Sequence, residues 1–343
     1  MAHGPSRMFI EAAEAAAVAE RQIAGNADRM ADAVARLRAL DPPFVATIAR
    51  GSSDHAATFA KYLIETRLRL PTLSHAPSIA SLYEATSPKL AGVPLLVISQ
   101  SGRSPDLIGA AAAAQRVGAV VVAIVNDVES PLADMADILL PLHAGPETSV
   151  AATKSFIATM VALAHLVAQW SADNRLLGAL SAIGGTLRAA WAQDWSVALD
   201  PLREATNLIV LGRGLSLSVA QEAALKFKET SGLHAEAFSS AEVAHGPMAL
   251  IREGFPLLVF PPRDAAAQGL DVQIDAFAER GANIFVAGRT GAGRMLPVEP
   301  DLHPVVAPIA MIQSFYRLAE ALAFARGYDP DQPPFLNKVT YTL

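Results

Sequence analysis

Leu95–Ser104 reads LLVISQSGRS. The aliphatic run Leu95–Ile98 predicts a buried strand. Ser99, Gln100, Ser101, Gly102, Arg103 and Ser104 follow at its carboxyl end. Pro105 suits the first position of a helix, which Leu107, Ile108 and Ala110–Ala114 continue. A helix N-terminus offers unpaired N–H groups and a partial positive charge, and serine hydroxyls can donate to anion oxygens. The chemistry this permits is phosphate binding. An ordinary polar strand-to-helix loop with a serine cap fits the same residues.

Other side chains could move protons. Glu222, Lys226 and Glu229 share a predicted helix, Leu217–Thr230, at spacings of four and three. Surface ion pairs at these spacings are worth a few tenths of a kcal/mol and need no chemistry. His245 sits in a loop-like AHGP context, and an ordinary histidine pKa near ~6.5 suits proton transfer at neutral pH. The other histidines form no HxxH or HExxH pattern, so a catalytic metal is not expected. Lys338, five residues from the end, reads by default as a solvated charge. There is no cysteine, which excludes disulfides, thiolate metal sites and cysteine nucleophiles. Gly212-Arg213-Gly214 has Leu217 where a dinucleotide fingerprint needs its third glycine, and no GxxxxGK[ST] phosphate loop occurs.

Alternating strands and helices must position these residues, and the pattern occurs twice. Phe44–Gly51 matches Leu208–Gly214, pairing Arg50 with Arg213 at an offset of 163. Pro94–Ile98 (PLLVI) matches Pro256–Phe260 (PLLVF) at 162, and Arg116 matches Arg280 at 164. Near-constant offsets point to duplication, and the alternation to parallel sheets covered on both faces. Two open α/β domains are predicted, at 35–190 and 200–330. A helical lead-in (1–34, with Glu11–Leu40 an Ala-rich helical stretch) precedes them, and a tail (331–343) follows. Ala172–Asp200 reads as helix and connector, and a long helix is predicted from near Ser149. Ligands of such sheets bind at strand carboxyl ends. That gathers Arg50-Gly51-Ser52-Ser53, Ser99–Ser104, Asn126-Asp127 and Gly145–Lys154. The second-half loop Pro261-Pro262-Arg263-Asp264 has no hydroxyl, so one phosphate loop per chain is expected.

The chain has 343 residues, 52% hydrophobic and 17% charged. That is ample for a two-domain core and argues against disorder. A net charge of −6 without a basic block argues against nonspecific nucleic-acid binding. The longest apolar stretches are too short or interrupted to span a bilayer, so a soluble cytoplasmic protein is expected.

Together the motifs RGSS (Arg50–Ser53), SQSG (Ser99–Gly102), GPE..VAATK (Gly145–Lys154), LGRG (Leu211–Gly214), EAALKFKE (Glu222–Glu229), HAEA (His234–Ala237), EVAHGP (Glu242–Pro247) and DQPPFLNKVT (Asp331–Thr340) resemble the sugar isomerase (SIS) family. The resemblance is to the isomerase half of glutamine–fructose-6-phosphate aminotransferase and to its free-standing relatives, among them SIS-type glucosamine-6-phosphate deaminases. It implies two tandem SIS domains, each a flavodoxin-like parallel sheet with helices on both faces. It implies Glu229 as the base that shuttles a proton between C1 and C2, and Lys226 near the sugar. It implies His245 for ring opening, contributed across a homodimer interface, and Lys338 in a tail that closes the site and contacts the open sugar. Substrate contacts fall on Gly51, Ser52, Ser53, Ser99, Gln100, Ser101, Ser104, Val150 and Ala151. Ala152 replaces a family serine. Without a cysteine or room for a glutaminase domain, glutamine hydrolysis is not expected. Arg103, where the aminotransferase has an acidic residue, points toward the deaminases. The expected reaction converts glucosamine 6-phosphate to fructose 6-phosphate and ammonia, and the resemblance implies no cofactor. A sugar-phosphate isomerase without nitrogen loss, or a non-catalytic sugar-phosphate-binding regulator, are the alternatives.

Overall fold

Short runs of aliphatic residues form the strands of two five-stranded sheets in this computed structural model, which describes residues 4–338. The first sheet contains β1 (Val45–Ile48), β2 (Thr72–Ser74), β3 (Pro94–Ser99), β4 (Val120–Val125) and β5 (Ile138–Pro141), in the order β2-β1-β3-β4-β5. The second contains β6 (Asn207–Gly212), β7 (His234–Ser239), β8 (Pro256–Val259), β9 (Asn283–Ala287) and β10 (Arg294–Leu296), in the order β7-β6-β8-β9-β10. Every pairing is parallel. Both sheets therefore follow one strand order, the structural counterpart of the repeat.

Alternate residues of neighbouring strands build each core. In the first sheet Ala46, Ile48, Leu95, Val97, Val121 and Ala123 pack with Leu107, Ala110, Ala111 and Ala114 of the helix Pro105–Arg116. In the second, Ile209, Leu211, Leu257, Val259, Ile284 and Val286 pack with Leu270, Ile274 and Phe277 of the helix Leu270–Glu279. The intervening strand residues are buried as well, as sheets covered on both faces require.

Contacts divide the chain into two units. Among the described residues, the first holds 17–147, 154–181 and 337–338; the second holds 4–16, 148–153 and 182–336. This division is interleaved, unlike the linear one read from the sequence. Of the tail expected at 331–343, residues 339–343 lie outside the described residues, as do residues 1–3 of the lead-in.

One helix boundary needs correction. The long helix is Lys154–Ser171, not a helix from Ser149. The amides of Thr148 and Ser149 instead donate to the Glu11 carboxylate, which holds 148–153 outside the helical ladder. The Ala-rich lead-in is three helices, Arg7–Ala13, Ala15–Gly25 and Ala27–Leu40. The second break falls at buried Asn26, whose side chain donates to Pro141 O (2.7 Å) and pairs with His143 Nε2 (3.0 Å). No helix among the described residues is long and apolar enough to cross a membrane.

Candidate functional site

In the first unit the strand order reverses between β1 and β3, which pair in register at Ala46↔Leu95 and Ile48↔Val97. Ligands of open α/β sheets bind at such a switch point, at the strand carboxyl ends. Two loops leave the sheet there. After β1, Gly51 (φ 54°) precedes Ser52 and Ser53, the half-buried first residues of the helix Ser52–Arg67. After β3 comes the Ser99–Ser104 loop.

The serine loop braces itself. Buried Ser99 Oγ accepts from Gly102 N (3.1 Å), and Ser101 Oγ accepts from Arg103 N (3.3 Å). The carbonyl of half-buried Gln100 accepts from Asn126 N (3.1 Å) at the end of β4. Gly102 has φ 62°, and a Cβ there would lie 2.1 Å from Ser130 Oγ. Only glycine fits this close approach in the left-handed region. Ser104 is the N-cap of the helix Pro105–Arg116, yet its side chain makes no cap hydrogen bond. Its hydroxyl is therefore not spent on the helix, unlike the Ser130 hydroxyl, which accepts from Ala133 N.

Two arginines flank the loop. Arg103 donates through Nε (3.0 Å) and Nη2 (2.7 Å) to Asp127 Oδ2, and through Nη2 to Glu129 O. The Arg103 hydrogen bond holds the Asp127 carboxyl below the usual carboxylate range. Arg50, at the end of β1, donates through Nε (3.0 Å) and Nη2 (2.8 Å) to Asp106 Oδ2. The other oxygen of Asp106 accepts from Leu107 N in the first turn of its helix.

Glu147 sits in the same unit with its side chain fully buried. It accepts from Ser155 N and Oγ at the start of the helix Lys154–Ser171. Lys338 Nζ lies 3.1 Å from Glu147 Oε2. A lysine that reads from sequence as a solvated terminal charge is thus an ion-paired one.

In the second unit the helix Ser216–Ser231, two residues longer than predicted, ends at Gly232 (φ 57°). Lys226 Nζ lies 3.3 Å from Glu222 Oε1 and 2.5 Å from Glu229 Oε2. Lys226 and Glu222 side chains are 0% exposed, whereas Glu229 is 20% exposed. Burial alone would lower the Lys226 pKa, but the two carboxylates outweigh it and hold the ammonium above its usual range. One cation thus sits between two carboxylates, one of which reaches solvent. Lys228 is exposed.

His245 ends a short 3-10 turn, Glu242–His245, and is exposed in its own unit. Val150 is half-buried and Ala151 buried, in the stretch that Glu11 holds through the Thr148 and Ser149 amides. The Ala151 carbonyl accepts from Ser149 Oγ (2.9 Å). Among the described residues no group of three or more His, Asp or Glu side chains is placed to hold a metal ion.

The structure thus brings the predicted Gly51–Ser53 and Ser99–Ser104 loops to adjacent strand ends of one sheet, and Lys226 and Glu229 into one cluster. Glu11, Glu147 and Asp106 carry contacts that motif reading alone did not assign. Their partners lie 137, 191 and 56 residues away, and no local pattern reports such pairs.

A SIS domain family model matches residues 44–169 and 201–287. The chain is 32% identical over 356 aligned positions to the glutamine–fructose-6-phosphate aminotransferase [isomerizing] of Thermus thermophilus, covering 97% of this chain and 58% of that protein. It therefore spans little more than half the length of that relative. A crystal structure from Silicibacter pomeroyi, described as a candidate phosphosugar isomerase, superposes with a TM-score of 0.91 at 44% identity, covering 95% of this chain and 100% of that one. The C-terminal domain of glucosamine-fructose-6-phosphate aminotransferase from Francisella tularensis superposes at 0.85 with 26% identity, covering 96% and 99%.

Proposed function

The chain belongs to the SIS domain family, and from that premise we propose that it is a sugar-phosphate enzyme that deaminates an amino-sugar phosphate by aldose–ketose isomerisation. Glucosamine 6-phosphate is the substrate the reading favours. The likeness to the Thermus and Francisella aminotransferases supports a six-carbon amino-sugar or ketose phosphate.

The reaction balances simply. The ring opens to an aldehyde at C1 with an amine on C2. A proton moves from C2 to C1 and a second passes from the amine nitrogen to the C1 oxygen, which leaves an alcohol at C1 and an imine at C2. Water hydrolyses the imine to fructose 6-phosphate and ammonia.

This chemistry needs a held phosphate and a mobile proton. Ser52, Ser53, Ser101 and Ser104 hydroxyls, with the Gln100 amide, hold the phosphate, and Ser99 braces their loop. Glu229 takes the C2 proton and returns it to C1. The observation that carries this reading is the Glu222–Lys226–Glu229 cluster, in which two members are fully buried and one carboxylate reaches solvent. A general base must be reachable and oriented, and Lys226 orients Glu229. Because Lys226 is buried and committed to both carboxylates, positioning is the role assigned to it.

In the same proposal His245 opens the ring in the site of a second copy, so the enzyme works as a homodimer. Lys338 contacts the open sugar once its hold on Glu147 is exchanged for substrate. Val150 and Ala151 present backbone to the sugar. The enzyme acts in the cytoplasm, on a small molecule, without nucleic acid or membrane.

The description of the Silicibacter structure favours a second reading, phosphosugar isomerisation without nitrogen loss. Ammonia release separates the two. Stoichiometric ammonia and fructose 6-phosphate from glucosamine 6-phosphate supports deamination. Interconversion of glucose 6-phosphate and fructose 6-phosphate without ammonia supports the isomerase.

A further inference from the structure

The serine loop offers hydroxyls and amides, and its own cation is already held on two acceptors. Arg103, the one cation within it, is turned onto Asp127 and the Glu129 carbonyl. A sugar phosphate brings close to two negative charges at neutral pH, and a guanidinium adds a charge-assisted contact that hydroxyls and amides lack.

Arg50 is placed to be that cation. It follows β1, and the loop follows β3, its neighbour across the switch point. Its Nε and Nη2 both donate to one oxygen, Asp106 Oδ2. The Asp106 side chain is 0% exposed, while that of Arg50 is 48% exposed. A buried carboxylate thus fixes one edge of a half-exposed guanidinium, which the Asp54 carboxyl also attracts. The third nitrogen, Nη1, donates to no described residue in these contacts. Asp106 belongs to the first turn of the helix that Ser104 caps, so the pair ties Arg50 to the serine loop itself.

We propose that Arg50 is the cationic ligand of the substrate phosphate, and that Asp106 is the positioning residue that aims it. This deepens the sugar-phosphate reading and rests on it. Asp106 left without Arg50 would also oppose an anion at the same helix end, so the pair has a second possible effect that the test must separate.

The probe is inorganic phosphate, titrated calorimetrically into the full chain. Arg50→Gln weakens phosphate binding by about tenfold or more, the loss of one charge-assisted contact, and Arg50→Lys by less. Arg50→Gln/Asp106→Asn removes both charges, so it has no orphaned buried carboxylate and controls for folding. It also binds weakly if Arg50 touches phosphate. With sugar phosphate, Arg50→Gln raises KM and leaves kcat within a few-fold, a split that a merely structural role does not produce. Wild-type affinity in Arg50→Gln overturns the proposal. Recovery of wild-type affinity in the double variant overturns it too, since Arg50 would then only cancel Asp106. A wild-type chain that binds no phosphate at millimolar concentration overturns it together with the phosphate reading. Phosphate binding without turnover of any amino sugar overturns the reaction alone.

Discussion

Lys338 and Glu147, 191 residues apart in sequence, form an ion pair of 3.1 Å in the first unit. Glu147 is fully buried and also receives the Ser155 amide and hydroxyl. The carboxylate therefore joins the tail to the start of the helix Lys154–Ser171.

Glu147→Gln keeps the shape and removes the charge that holds Lys338. With Lys338 24% exposed, the loss is about 1–2 kcal/mol of tail docking. Trypsin cleavage after Lys338 should accelerate roughly five- to thirtyfold in consequence. An unchanged cleavage rate would show that the pair does not secure the tail.

Lys226→Met strands Glu222, whose side chain is 0% exposed, without its cation. Breaking a buried pair from one side costs about 3–5 kcal/mol. Urea unfolding should report that loss, and Lys226→Met/Glu222→Gln should recover most of it. A single variant as stable as wild type would mean that the cluster does not depend on Lys226.

Gly102→Ala places a methyl 2.1 Å from Ser130 Oγ at φ 62°. The loop must shift, at a cost of about 1–3 kcal/mol. KM for sugar phosphate should rise more than tenfold, by the scale of a misplaced contact set. Unchanged KM would remove the serine loop from the phosphate site.

Acid should destabilise the fold before carboxylates titrate. Burial holds the pKa of His75, His143 and His165 below the ordinary 6.5, with Arg21 and Arg29 lowering His143 further. As pH falls below about 6.5, the unfolded chain takes up protons that the folded chain refuses. Stability is thus full above 6.5 and declines until pH passes the folded values. Urea midpoints at pH 7.5 and pH 5.5 test this, and a midpoint that rises or holds at pH 5.5 contradicts it.

The sheets were legible because β-strand runs such as Leu95–Ile98 and Leu257–Val259 carry their own signal, and because the repeat doubled it. The boundaries near Ser149 and Asn26 were not. There Glu11 and Asn26 make long-range hydrogen bonds that override local propensity. The serine loop was legible as a chemical pattern, but the separate pairing of Arg103 with Asp127 and Arg50 with Asp106 depends on which strands are neighbours. The complete burial of Lys226 between two carboxylates depends on how its helix packs, which the spacing of Glu222, Lys226 and Glu229 does not report.

The most direct test compares ammonia release from glucosamine 6-phosphate by wild type and Glu229→Gln. Wild type should release one ammonia per fructose 6-phosphate formed. Glu229→Gln should bind substrate yet lose about 10²–10⁴-fold in kcat, the usual worth of a general base. Equal rates in the two proteins would contradict the assignment of Glu229 as the base that moves the C2 proton.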